Sequence, residues 1–186
     1  MSSRDKLIRA HSLHPTVKVI QKDRRQSQQQ TEETSRGGIL VSCIPQLQPK
    51  EETIQVPDLE YLSVIIPYSD IGPLRVVTVY KKPSVKMEIF MHGMNLLLKA
   101  IHQHRNQMVT IVVGDFNENL LLKKKTPLLD LMSSYRYTQI VTKPTTDQGS
   151  LLDHVYINEV NICHTVDILD TYYSDHDAVL LTLCLR

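Results

Sequence analysis

A change of sequence period in the middle of the chain most constrains its fold. Apolar residues from Phe90 to Ile101 recur at helical spacing, and an apolar run of strand length, Val109 to Val113, follows them directly. Pro83 and Ser84, which precede the stripe, are typical of a helix N-terminus. An amphipathic helix that leads into a buried strand is the unit of a layered α/β fold. The segment therefore predicts a helix packed on a sheet.

Further apolar runs of strand length, bounded by turn residues, fill much of the remaining chain. They cover residues 39–44, 61–66, 74–80, 137–142, 152–157, 162–169 and 179–185. Residues 45–58 predict a loop, whereas Thr126 and Pro127 predict the N-cap and first position of a short helix that ends near Ser134. Many strands with two interspersed helices predict an α/β fold with mixed, partly antiparallel sheets.

The first part of the chain differs in composition from the rest. Residues 1–35 are basic and then rich in glutamine, with little to bury, so they predict a polar, disordered segment with one short strand at residues 14–20. Residues 36–186 predict a single domain, because the chain is long enough for one sizeable core and too short for two.

Composition excludes several classes of protein. An apolar content of 41% and a charged content of 22% are those of a globular protein, and 21 basic against 20 acidic residues do not indicate a nucleic-acid partner by net charge. The apolar runs are far shorter than the roughly 18 residues of a membrane-spanning helix. Three cysteines without metal-type spacing predict reduced, buried thiols. We therefore expect an intracellular protein, cytoplasmic or nuclear, without a membrane partner.

The strand Val109 to Val113 ends in a pair of polar residues. Asp115 and Asn117 are two positions apart, so in extended backbone their side chains project from the same side. A carboxylate beside an amide offers oxygen ligands for Mg²⁺ and donors for a phosphate. Alone, residues 114–117 fit a turn that closes a strand equally well.

Two more strands are bordered by an acid and a histidine, at Asp153-His154 and at Asp175-His176. Imidazole titrates near neutral pH, so His176 is a candidate base, and a carboxylate such as Asp153 could orient it. Asp175 is a candidate metal-side carboxylate. His154 follows Asp153 directly and so points to the opposite face, which predicts a structural role.

Together these motifs carry a family resemblance. In order, they are Gly114-Asp115-Phe116-Asn117, then Leu152 to Tyr156, then Ser174-Asp175-His176. This series resembles the C-terminal half of an endonuclease/exonuclease/phosphatase domain, of the DNase I-like superfamily. Residues 36–41 and 77–83 resemble two upstream strands of that domain, so the resemblance covers roughly residues 36–186. Residues 144–146 followed by 150–155 look most like the endonuclease domain of non-LTR retrotransposons, which nicks DNA.

The resemblance implies a four-layer α/β sandwich, Mg²⁺ as cofactor with Mn²⁺ as the alternative, and DNA as substrate. It also implies a role for each matching residue. Asp115 and Asn117 would act at the nucleophile and scissile phosphate and, with Asp175, would bind the metal. His176 would contact the phosphate or act as base with Asp153 behind it, and Tyr80 takes the place of a phosphate-contacting tyrosine. For Tyr80, packing on the core is an equal alternative.

The chain also departs from the family pattern. Members begin with a strand that ends in Asn, followed by a strand with a metal-binding Glu, and residues 1–35 contain neither. Glu60 and Glu118 are substitutes by composition alone. The departure predicts a domain truncated on its N-terminal side, with exposed apolar edges and weakened Mg²⁺ binding.

Three functions follow as hypotheses. The first is a Mg²⁺-dependent phosphodiester hydrolase of the DNA endonuclease type, retroelement-derived and weakly active or inactive. The second is a non-catalytic remnant of that domain that binds nucleic acid or protein. The third is a phosphatase or phosphodiesterase that acts on a lipid or nucleotide.

Overall fold

The computed structural model describes residues 17–23, 38–67, 72–103, 108–122, 125–159 and 161–184. Within these residues the elements are, in chain order, β1 (Lys18–Asp23), β2 (Gly38–Cys43), a 3₁₀ turn (Pro45–Leu47), β3 (Lys50–Glu52), β4 (Glu60–Ile66), β5 (Leu74–Tyr80), α1 (Met87–Gln103), β6 (Val109–Asp115), α2 (Pro127–Ser134), β7 (Thr138–Gln139), β8 (Asp153–Ile157), β9 (Cys163–Leu169) and β10 (Ala178–Cys184). None of the described helices is long and apolar enough to cross a membrane.

A six-stranded mixed sheet forms the centre of the molecule. Its strand order is β3-β4-β5-β6-β8-β7, and neighbouring strands run antiparallel except for the parallel pair β5 and β6. Helix α1 makes the crossover between those two parallel strands. The predicted helix that leads into a buried strand, and the predicted mixed sheet, are confirmed.

Both helices pack on one face of this sheet. Their buried side chains join those of the sheet in the largest core cluster, which includes Val77, Val79, Phe90, Met94, Leu97, Leu98, Val112, Phe116, Leu128, Met132 and Tyr156. Helix α2 begins as predicted, because the Thr126 hydroxyl accepts a hydrogen bond from Leu129 N at 3.2 Å and Pro127 takes the first helical position.

Two separate hairpins cover the other face of the sheet. The β1–β2 hairpin packs Ile39 against Leu62 and Val64 of β4, and the β9–β10 hairpin packs on a cluster that includes Ile111 of β6. Within the described residues these hairpins do not pair with each other. On this face the central strand β5 is therefore only half-buried, at Leu74, Val76, Thr78 and Tyr80.

The predicted loop at residues 45–58 contains an edge strand. Strand β3 pairs with β4, and its Glu52 forms a bidentate ion pair with the buried guanidinium of Arg75, at 2.7 and 2.8 Å. The prediction was wrong here because a three-residue strand of lysine and glutamates has no apolar pattern. A buried arginine, and not apolar burial, fixes this strand to the sheet.

Three other predictions need adjustment. The short strand predicted at residues 14–20 lies at Lys18–Asp23, and most of the predicted polar segment, residues 1–16 and 24–35, lies outside the described residues. The strand predicted at 137–142 is shorter, Thr138–Gln139, with one further hydrogen bond from Ile140 N to Val155 O of β8 at 3.0 Å; Val141 then leaves the sheet edge and packs under the β9–β10 hairpin. Cys43 is half-buried rather than buried, and the side chains of the other two cysteines lie outside the described residues.

Candidate active site

Three strand ends bring polar side chains together at one edge of the central sheet. Asp115, the last residue of β6, is in register with Tyr80 of β5 on one side and with Asp153 of β8 on the other. Residues in register on neighbouring strands project from the same face of a sheet. The register therefore places Tyr80, Asp115 and Asp153 in one row, on the face that the hairpins cover.

A glycine allows the strands to approach each other at this row. Gly114 has φ +150°, and a Cβ at this position would lie 1.8 Å from the carbonyl oxygen of Val79. Any larger residue would push β6 away from β5. The glycine of the predicted motif therefore fixes how close Asp115 stands to its neighbouring strand.

Phe116 holds the motif on the opposite face of the sheet. Its ring is fully buried, stacks on His154 with centroids 4.7 Å apart, and meets Phe90 edge-on at 5.9 Å. Phe116 N also donates to Leu152 O at 2.9 Å. With this ring buried beneath the sheet, Asp115 and Asn117 are presented on the other side.

Asn117 fixes the carboxylate of Asp115. Its backbone N donates to Asp115 Oδ1 at 2.9 Å, and its Nδ2 donates to Asp115 Oδ2 at 3.0 Å and to Lys81 O at 2.8 Å. The residue adopts a left-handed conformation, with φ 47°, which Asn tolerates better than most residues. These bonds hold the carboxylate in one orientation and leave the amide oxygen of Asn117 out of the network.

His176 reaches the same row from the loop between β9 and β10. Its Nδ1 lies 2.8 Å from Asp153 Oδ2, and both side chains are partly exposed. Burial lowers the pKa of His176, but the hydrogen bond that its Nδ1 donates to Asp153 and the charges of Asp153, Asp115 and Asp175 outweigh the effect of burial, so the pKa is raised overall. The surrounding carboxylates therefore favour the positively charged imidazolium.

Several interactions change the pKa of Asp115 in opposite directions. Partial burial raises its pKa, the backbone hydrogen bond from Asn117 lowers it, and the nearby charge of Asp153 raises it again; the overall direction is upward. Asp115 is thus a more basic carboxylate than one in water.

Thr145 links the two parts of the site, and sequence reasoning gave it no role. Its hydroxyl accepts hydrogen bonds from Leu152 N and Asp153 N, both at 3.1 Å, and its carbonyl accepts one from Asp177 N at 2.9 Å. Thr146 forms an isolated backbone bridge with His176. The signal in the sequence is the phrase at residues 144–146, which contributes to the family resemblance but does not show these hydrogen bonds.

Three other residues singled out from the sequence, Asp175, Tyr80 and His154, lie around this hydrogen-bonded network. Asp175 is exposed beside His176, and its carbonyl accepts a hydrogen bond from Asp147 N at 3.1 Å. Tyr80 packs against the cluster of Ile39, Leu62 and Val64, which agrees with its alternative role in packing. His154 is fully buried on the helix side, as its predicted structural role requires.

Comparison with solved structures identifies the fold. No protein-family model and no curated protein sequence matches the chain. The endonuclease domain of TRAS1, a telomere-specific non-LTR retrotransposon, is 16% identical with a TM-score of 0.65, over 94% of this chain and 83% of that domain. An endonuclease/exonuclease/phosphatase family protein from Leptotrichia buccalis is 12% identical with a TM-score of 0.66, over 98% and 78% of the two chains. The Haemophilus ducreyi cytolethal distending toxin is 15% identical with a TM-score of 0.62, over 90% and 68%.

The chain has the DNase I-like fold. The predicted α/β class and DNase I-like fold are therefore confirmed, and the described residues supply three of the four predicted layers: the helix layer, the central sheet and the hairpin layer. Identities of 12 to 16% establish the fold and not the activity.

The donors at this candidate site suit a metal ion only in part. Within the described residues no group of three or more His, Cys, Asp and Glu side chains is arranged to hold a metal ion. Glu60, the first residue of β4, is in register with Tyr80 and lines the same cavity as Tyr80, and the Thr126 hydroxyl donates to a Glu118 carboxylate oxygen at 3.5 Å. Mg²⁺ is commonly held by one or two carboxylates together with substrate phosphates and water. Asp115 fits an ion shared with a phosphate better than one held by protein alone.

Proposed function

We propose that this chain is a weakly active phosphodiester hydrolase of the DNA endonuclease type, derived from a retroelement. The observation that carries the proposal is the hydrogen-bonded pair of His176 and Asp153, which stands in one row with a carboxylate that Asn117 holds in place. The fold likeness to the TRAS1 endonuclease domain supports a nuclease activity.

In the proposed reaction, water attacks the scissile phosphorus and the bond from phosphorus to the leaving oxygen breaks. Asp115, oriented by Asn117, accepts the proton of the attacking water. His176 carries the positive charge that Asp153 favours and binds a non-bridging phosphate oxygen through Nε2. The leaving oxygen takes its proton from solvent.

A metal ion would add to this arrangement. We propose Mg²⁺, with Mn²⁺ as the alternative, held by Asp115, Asn117 and Asp175 together with substrate oxygens. When bound, the ion would neutralise charge that develops on the phosphate. A single well-fixed carboxylate makes such binding weak, which is the reason for expecting slow turnover.

A plasmid-nicking assay with Mg²⁺ tests this proposal. We expect slow conversion of supercoiled to open-circular DNA that a chelator abolishes. His176→Ala should reduce the rate about 100-fold or more, because the charge on the phosphate then lacks a partner. His92→Ala, which removes an exposed histidine on α1, is the matched control and should nick at the wild-type rate.

Two results would contradict the proposal. One is nicking that persists with chelator, and the other is equal nicking by the two histidine variants, which would indicate a contaminating nuclease. DNA binding that falls with salt but is accompanied by no nicking would instead support the second hypothesis, a non-catalytic remnant. The incomplete metal-ligand set of the described residues is the observation that favours that alternative.

A further inference from the structure

Two tyrosines next to the candidate active site are almost completely exposed. Tyr172 and Tyr173 lie in the loop between β9 and β10, with 99% and 89% of their surfaces accessible. The same loop ends on His176, so Tyr173 stands within about 11 Å of that residue along an extended chain. Large apolar rings are normally covered, and an exposed pair beside a site indicates a binding surface.

The loop that carries these two tyrosines is held by its own hydrogen bonds. The Thr171 hydroxyl bonds to His176 O, and His176 N donates to Ser174 Oγ at 3.0 Å. Asp147 N donates to Asp175 O at 3.1 Å, which ties the loop to the neighbouring segment that contains Thr145. A hydrogen-bonded backbone therefore presents the two rings to solvent in a defined place.

Charge indicates what these rings can bind. Residues 170–177 include Asp170, Asp175 and Asp177 and contain neither lysine nor arginine. Apart from His176, no side chain of this loop can carry the positive charge that binds phosphate, so the two rings contact a ligand through uncharged surface. A neutral, planar group suits that surface because it gains contact area on an aromatic ring. Nucleobases are neutral and planar, and every base has a face on which an aromatic side chain can stack.

We propose that Tyr172 and Tyr173 form a stacking platform for unpaired nucleobases close to the phosphate that His176 binds. This inference rests on the proposed function and specifies its substrate class. Bases within a duplex are already stacked on each other, so the platform favours single-stranded DNA, or duplex DNA with unpaired bases at the cleavage site, over a perfect duplex.

Equilibrium binding in chelator tests the platform without turnover. Fluorescence anisotropy would compare the full chain with its Tyr172→Ala/Tyr173→Ala variant on a single-stranded oligonucleotide, a duplex of the same sequence, and a single strand of abasic sites. We expect the wild-type chain to prefer the single strand. The double variant should lose about tenfold or more of that affinity, with little change on the other two ligands.

Three further variants and ligands sharpen the test. Tyr172→Phe/Tyr173→Phe retains both rings and should keep the wild-type preference. Leu122→Ala, which removes another highly exposed apolar side chain, should also keep it. Vesicles of phosphatidylcholine test the rings as a membrane contact; ring-dependent vesicle binding without ring-dependent binding of single strands would overturn the platform.

The platform is also overturned if the wild-type chain binds single strand and duplex equally, or if the double alanine variant loses affinity equally for normal and abasic strands. These outcomes are distinct from failure of the proposed hydrolase. Ring-dependent binding without nicking would retain the platform and reject the activity. Nicking with no effect of the tyrosine substitutions would retain the activity and reject the platform.

Discussion

Two histidines of this chain, His154 and His176, each follow an aspartate in the sequence, and their positions in the fold give them different chemistry. His176 is partly exposed, bonds to Asp153, and has a raised pKa. His154 lies under the sheet, bonded to Tyr156 and to Glu118 O, and burial lowers its pKa to about 4. Strand alternation predicted that His154 and Asp153 would face opposite sides, and this is the case. The sequence alone could not show the direction in which either pKa shifts.

The buried histidine predicts acid sensitivity of the fold. An unfolded histidine takes up a proton near pH 6.5, whereas folded His154 does so only near its pKa of about 4. The unfolded state therefore binds more protons between these values, so stability is full above about pH 6.5 and falls as the pH drops towards 4. Between about pH 7.5 and about pH 5, His154 should cost about 2 kcal/mol of stability.

Urea unfolding at these two pH values, followed by circular dichroism, measures the loss. His154→Gln provides the comparison, because it cannot titrate and the contributions of His176 and the carboxylates are common to both proteins. The difference in stability between the two pH values should be smaller in the variant by the stated amount. Equal pH dependence in both proteins would show that His154 accepts a proton without unfolding the chain.

At the scale of secondary-structure elements, apolar periodicity predicted the helices and the long strands of the sheet. Apolar periodicity did not predict elements that ion pairs or hydrogen bonds hold in place. Strand β3 is fixed by the ion pair between Glu52 and Arg75, and the pairing of β1 with β2 joins segments that are separated by residues outside the described part of the chain. The link between β8 and the loop of His176 runs through the Thr145 hydroxyl and carbonyl, which no periodicity can show.

Thr145→Val tests that link. Valine has nearly the same shape but no hydroxyl, so the N–H groups of Leu152 and Asp153 lose their acceptor in a buried place. We expect a loss of about 1 to 3 kcal/mol in the free energy of unfolding. Nicking should fall by a larger factor than unfolding explains, because Asp153 then no longer fixes His176.

Thr165→Val is the matched control, since Thr165 is exposed on β9. It should leave both the unfolding free energy and the nicking rate nearly unchanged. Chemical denaturation and single-turnover nicking are measured on both variants under conditions where each is folded. A Thr145→Val protein as stable and active as the control would mean that the two N–H groups find other partners.

At the scale of the whole molecule, the resemblance predicted the DNase I-like fold, of which the described residues supply three of the four predicted layers. It could not predict how completely the hairpin layer covers the sheet. The described hairpins leave the central strand β5 half-buried on one face. The same residues lack a group of three His, Cys, Asp or Glu side chains arranged to hold a metal ion, so a bound ion would depend on substrate oxygens.

Mg²⁺ should bind mainly together with the DNA substrate. Of the two carboxylates proposed to hold the ion, Asp115 is half-buried and fixed by Asn117, whereas Asp175 is exposed. Mg²⁺ loses its water shell reluctantly, so the free protein should bind it weakly, with a dissociation constant on the order of 1 mM or above. A DNA strand with a non-hydrolysable phosphate linkage supplies the missing oxygens and should strengthen Mg²⁺ binding about tenfold or more, because ligands that bind together share a coupling free energy. By the same reciprocity, Mg²⁺ should strengthen DNA binding by the same factor.

Isothermal calorimetry of Mg²⁺ with and without that DNA measures both affinities. Asp115→Asn should remove the coupling, whereas Asp167→Asn, at an exposed position on β9, should retain it. Tight stoichiometric binding by the free protein would contradict the prediction. It would mean that a ligand beyond Asp115, Asn117 and Asp175 completes the coordination, since these residues without substrate oxygens leave most of the water on Mg²⁺ in place.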